Sequence, residues 1–162
     1  MSGYSNVTFD EIEIGATASA ERVVGQTEIE ALLLVSGDVV PFNLVEGVTV
    51  EPSDLCVEAV AAEAIISGML ERRLPGPGTR IVSQQLEFNG VIRVGDLVRA
   101  TVTVRQKTAG NRSVLFDCSV DAAGETVLRG TVIVEAPHRK ASFPELSRPE
   151  FMIRRNDVFA RL

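Results

Sequence analysis

The chain has 162 residues, 45% of them hydrophobic and 23% charged, which suits one domain with a core of its own. With one histidine (His138) and two cysteines (Cys56 and Cys118), it cannot build a zinc site from several His and Cys ligands or a disulfide framework, and a Ser-His-Asp triad could use only His138. A net charge of −6 argues against a nucleic-acid groove, which needs clustered Lys and Arg.

The first residues, Met1 to Asn6, have neither a basic nor an apolar stretch, so no signal peptide is expected and the expected location is cytoplasmic. Residues 17–24 read as a strand. Thr27-Glu28-Ile29-Glu30 has the capping-box pattern and opens a short helix to Val35, which Ser36-Gly37-Asp38 stops. Ser53-Asp54 then caps a long helix to about Leu74, closed by Pro75-Gly76-Pro77-Gly78. That helix is apolar or small around most of its circumference, so it is expected to be buried on nearly all sides. It carries Glu58 and Glu63 and is too short and too charged to span a bilayer.

After it the period changes from 3.6 to 2. Residues 79–88, 97–108, 112–121 and 125–136 read as antiparallel strands, with Val98, Ala100, Val102 and Val104 alternating against Arg99, Thr101, Thr103 and Arg105. Gly95-Asp96, Ala109-Gly110-Asn111 and Ala123-Gly124 supply the turns of a meander. The expected fold is α+β, an antiparallel sheet wrapped around one long helix. The last 26 residues, from Pro137, hold six basic and three acidic residues, +3 against −9 for the rest, and three of the seven prolines. This segment, 137–162, reads as an extended basic tail laid over its own acidic body, or as a linker, following a domain at 1–136.

Several segments together resemble the MaoC-like (R)-specific enoyl-CoA hydratases and dehydratases. They are Phe9-Asp10-Glu11-Ile12-Glu13-Ile14-Gly15, the loop Ser36-Gly37-Asp38-Val39-Val40-Pro41-Phe42-Asn43, the turn Leu74-Pro75-Gly76-Pro77-Gly78-Thr79, Leu86-Glu87-Phe88 and Val94-Gly95-Asp96. The chain is most similar to the hydratase-like domain that precedes phosphate acyltransferase domains. The resemblance implies a hot-dog fold, an acyl-CoA or related acyl thioester as ligand, no cofactor or metal, and a homodimer or a hexamer of dimers. It also implies a catalytic pair at Asp38 and position 43, and a substrate-binding set of Pro41, Glu58 and Ala59. Two positions depart from the family pattern. Position 43 is Asn where active members carry His, and Glu58-Ala59 stands where the family has His-Gly.

Adding water to an enoyl thioester needs a base at the water, a proton for C2 and a donor for the developing enolate oxygen. The backbone N–H of Ala59 can serve the last role whatever its side chain. Asn43 can hold water but does not titrate near neutral pH, so weakened hydratase activity is expected. Two alternatives stand beside it: a non-catalytic acyl-thioester binding or assembly module, and a thioesterase using Glu58 or Glu63. Both Glu residues are otherwise expected at a subunit interface or paired with Arg. Cys56 is expected to be inert packing, Ser67 to bond a preceding carbonyl, and His138 to lie on the surface.

Overall fold

The computed structural model describes residues 3–36, 56–57 and 59–144. In chain order the elements are β1 (Gly3–Ser5), β2 (Thr17–Val23), α1 (Gln26–Ser36), β3 (Cys56–Val57), α2 (Ala59–Arg72), β4 (Arg80–Phe88), β5 (Ile92–Arg93), β6 (Leu97–Thr108), β7 (Ser113–Ala122), β8 (Glu125–Glu135) and β9 (Ser142–Pro144). Five strands form an antiparallel sheet in the order β2-β6-β7-β8-β4, and α2 lies against its inner face. This is the α+β hot-dog arrangement expected from the sequence.

Period-2 alternation accounts for the sheet. On β6, β7 and β8 every second side chain is buried: Val98, Ala100, Val102 and Val104, then Val114, Phe116, Cys118 and Val120, then Leu128, Val132 and Val134. The outer face is polar, and its charges pair across strands: Arg99 with Glu21, Arg105 with Asp117, Arg129 with Glu87, and Glu135 with both Arg80 and Arg112. Hydrogen bonds from Arg80 and then Arg112 hold the Glu135 carboxyl below the usual carboxylate range. Each such exposed pair contributes little to stability, because solvent screens it.

The structure corrects three expectations. The long helix begins at Ala59 rather than Ser53, because Cys56–Val57 instead form a ladder with Ile92–Arg93, in which Ile92 is fully buried. A tertiary pairing has overridden a local capping signal. Second, α2 is not buried on nearly all sides. Ala61, Ala62, Ile66, Met69 and Leu70 face the sheet, whereas Glu63, Ile65, Ser67 and Gly68 are half-buried and Ala64 and Glu71 are exposed. The five-stranded sheet of one chain covers one side of the helix. Third, α1 starts at Gln26, so Thr27 lies inside the helix rather than at its cap.

Beyond Ala136 the chain turns back across the N-terminal segment, and Ser142–Pro144 pair with Gly3–Ser5. Asn6 holds this junction from within. Its side chain is 1% exposed, its Nδ2 donates to the carbonyls of Pro77 (3.0 Å) and Arg139 (2.9 Å), and its Oδ1 accepts from the Ala141 N–H (3.0 Å). The Val7 N–H donates to Pro75 O at 2.7 Å, so the turn that ends α2 is tied to both chain segments. Lys140 reaches Glu11 at 2.8 Å. With help from Thr8 it lowers the Glu11 carboxyl from 4.5 to about 2. The sign is that of a depressed acid: the stabilisation is present above pH ~4.5 and is lost as pH falls through about 2.

β4 and β8 meet unusually closely at Gly130. A Cβ there would stand 2.1 Å from Gln85 O and 2.9 Å from Leu86 Cα, both backbone atoms that cannot step aside. Gly130→Ala should lower the unfolding free energy by about 1–3 kcal/mol or more in urea titration. Gly110→Ala, whose Cβ would meet nothing within 4 Å, should stay within about 0.5 kcal/mol of wild type.

Candidate functional site

The described part of the expected site is the start of α2. The short β3–β5 ladder pairs Cys56 with Arg93 and Val57 with Ile92, and so delivers the chain to Ala59, the first helical residue. The first N–H groups of a helix have no partner within it, and its dipole is positive at that end, so this backbone can take an anionic or polarised oxygen. α1 packs against β3 and α2 beside it. Of the expected site residues, Ala59 is thus at the head of the helix, whereas Asp38, Pro41, Asn43 and Glu58 lie outside the described residues.

Glu63, one turn further along α2, is half-buried, and its Oε1 accepts a hydrogen bond from Gln84 Nε2 on β4. Of the two expectations for Glu63, a subunit interface or an arginine partner, the second is not met among the described residues, where its partner is a neutral amide. Sequence reasoning had no means of finding Gln84, since the contact joins residues that only the packing of α2 on β4 brings together. Ser67 makes no side-chain hydrogen bond to a preceding carbonyl among the described residues, contrary to expectation. His138 is exposed after β8, as expected.

A cavity of about 260 Å³ opens at the β3–β5 end of the sheet, with Asn89, Arg93, Asp96, Glu125 and Thr126 among its walls. Two of these residues are joined, the Arg93 N–H donating to Asp96 Oδ2 at 2.8 Å. Val91, Ala122, Ala123 and Val127 line the rest, and an acyl chain, which needs mostly apolar walls, is poorly served by a hollow with polar side chains on about half of its lining. Among the described residues no group of three or more His, Cys, Asp or Glu could hold a metal ion, and no helix is long and apolar enough to cross a membrane.

No protein-family model matches the chain. It is 32% identical over 133 residues to an (R)-specific enoyl-CoA hydratase of Rhodospirillum rubrum, covering 81% of this chain and 92% of that protein. It is 27% identical over 138 residues to a 3-hydroxybutyryl-CoA dehydratase of Methylorubrum extorquens, covering 84% and 88%. Among solved structures, the R-hydratase PhaJ1 of Pseudomonas aeruginosa superposes with a TM-score of 0.81 at 26% identity, over 94% of this chain and 99% of that one.

Cys118 is a core residue. It lies on the inner face of β7, and burial, with a smaller push from Asp117, raises its thiol from 9.0 to about 12. The thiolate is the reactive form, so native protein at pH 8 should leave Cys118 unalkylated by iodoacetamide, while denatured protein labels there; peptide mass mapping reads both.

Proposed function

This chain belongs to the MaoC-like (R)-specific enoyl-CoA hydratase/dehydratase family, and from that membership we propose that it binds an acyl-CoA or related acyl thioester at the head of α2 and retains only weak hydratase activity. The observation that carries the binding half is the start of α2 at Ala59, held in place by the β3–β5 ladder. Donors in the helix backbone do not depend on side-chain identity, so they can still polarise a thioester oxygen as enolate charge develops. The catalytic half would fall to Asp38 as the titrating group, with Asn43 placing the water and Pro41 and Glu58 shaping the pocket. The names of the two relatives, hydratase and dehydratase, describe one reaction in opposite directions, and the same groups would serve both.

The replacement of a histidine by Asn43 removes one general acid–base group, worth ~10²–10⁴ in rate. A binding or assembly module is therefore the second reading, as a free-standing relative of the domain that precedes phosphate acyltransferases, with 137–162 as tail and a cytoplasmic location. The thioesterase reading is less favoured, since Glu63 is already engaged by Gln84.

Loss of enoyl absorbance with crotonyl-CoA tests the proposal. Wild type should show slow turnover, Asp38→Ala none, and Asn43→His a gain of about 10²-fold or more. Binding of crotonyl-CoA with no turnover in any of the three would favour the binding module. Free thiol released from saturated acyl-CoA by wild type, and abolished in Glu58→Gln or Glu63→Gln, would establish the thioesterase instead.

The two sheet edges support a homodimer. On β2, an edge strand that pairs only with β6, the Ser19 carbonyl accepts from Arg73 Nη1 at 3.2 Å. On the opposite edge, β4 leaves Val82 and Phe88 half exposed beside the open face of α2. An open apolar edge invites a further strand, and a second copy of β4 fits the requirement. Light scattering coupled to size exclusion should give twice the chain mass for wild type and a shift to monomer for Val82→Glu/Phe88→Glu; a monomeric wild type would remove the dimer from the proposal.

A further inference from the structure

Among the described residues, Arg22 on β2 has a buried Nε with no hydrogen-bond partner. Along β2 the residues alternate between exposed and half-buried, and Ala18 and Ala20 pack against the core. Arg22 is in phase with them. Its ladder partner is Val98, 1% exposed, and Val98 in turn pairs with the buried Ala122. Opposed residues of an antiparallel pair share a face, so Arg22 projects from the inner, apolar side of the sheet. Its Nε is buried and has no hydrogen-bond partner, and its guanidinium joins no ion pair among the described residues. The other buried orphan, Arg112 Nε, belongs to a side chain whose Nη2 already reaches Glu135 at 2.8 Å. On the outer face, by contrast, Arg80, Arg99, Arg105 and Arg129 each hold a carboxylate. Arg22 therefore has donor capacity that the described protein leaves unused, in surroundings where an unused donor is costly.

Its position gives that capacity a use. The Val24 N–H donates to Asp96 O at 3.0 Å and the Gly95 N–H to Val24 O at 2.8 Å, which ties the end of β2 to the turn after β5. β5 is clipped to β3, and β3 leads into the head of α2. Arg22 thus lies at the end of the layer from which α2 starts. A methyl-ended acyl chain offers a guanidinium nothing to accept its hydrogen bonds, whereas a planar fork of N–H donors matches carboxylate and phosphate oxygens two at a time.

We propose that Arg22 contacts an anionic oxygen group of the thioester ligand, either a phosphate of its CoA part or a carboxylate at the far end of its acyl group. This rests on the thioester-binding reading above. The test is calorimetric titration of wild type, Arg22→Met and Arg22→Lys with four ligands: CoA, crotonyl-CoA, crotonyl-pantetheine, and an enoyl-CoA ending in a carboxylate. Arg22→Met should weaken binding by about tenfold or more for every ligand that carries the contacted group, with part of the loss recovered in Arg22→Lys. A phosphate contact gives a loss with CoA and crotonyl-CoA that is missing with the pantetheine thioester. A carboxylate contact confines the loss to the carboxylated enoyl-CoA. Without ligand, Arg22→Met should melt no lower than wild type, since it removes an unpaired cation. Affinities that agree within about twofold between wild type and Arg22→Met for all four ligands overturn the contact, and a lowered melting temperature alongside them would make Arg22 a structural residue. Wild type that binds none of the four overturns the thioester reading, and the Arg22 contact with it.

Discussion

The structure depends on one packing constraint: a single helix has to fill the concave face of a single curved sheet. The stripe Ala62, Ile66, Met69 and Leu70 recurs at helical spacing and shares one buried core with Val102, Phe116 and Leu128 of the strands that α2 packs on. Full burial of each large side chain contributes roughly 1.5–3 kcal/mol, an upper estimate because the unfolded chain already hides some apolar surface. Ala61 and Ala62 let the helix axis come close to the strands. Neither side could persist alone, since the helix would expose its stripe and the sheet its inner face.

Packing a stripe against a sheet fixes the face of a helix well and its axial position less well. Here both ends are pinned. The β3–β5 ladder holds the approach to Ala59, and at the other end Asn6 and Val7 grip the turn that follows Leu74 through Pro75 and Pro77. The second pin draws on both chain segments, because the same Asn6 side chain also bonds Arg139 and Ala141. The residues after Ala136 therefore bear on where α2 sits, although they lie outside the sheet. If a thioester oxygen is to meet the first N–H groups of that helix, its placement is the geometry on which binding rests.

What the sequence disclosed, and what it hid, follows from this arrangement. β6, β7 and β8 were legible because each runs for ten or more residues with one face buried, so the alternation is long and unbroken. β3 and β5 are two residues each and exist because they meet one another, so no local pattern could announce them, and the start of α2 was misplaced for the same reason. The apolar girth of α2 suggests burial on nearly all sides because periodicity reports how apolar a helix is and not how many chains cover it. Asn6 was invisible as a core residue. A lone Asn near a chain end reads as exposed, and its burial depends on acceptors from residues more than seventy positions away. At the site, the head of α2 at Ala59 could be inferred from family likeness, while the Glu63–Gln84 contact could not, since nothing in either segment specifies the other.

These observations separate two properties that a hydratase combines. Backbone donors at a helix head are preserved by any sequence that folds, so the capacity to hold a polarised oxygen is inherited with the scaffold. Acid–base chemistry resides in particular side chains and can be lost one substitution at a time. A chain with Asn at position 43 and an intact α2 framework would, on the proposed reading, lose turnover long before it lost affinity. Arg22 fits that order. A buried guanidinium Nε that no described residue engages is difficult to account for in a scaffold kept only for folding, and simpler to account for in one that still holds an anionic ligand.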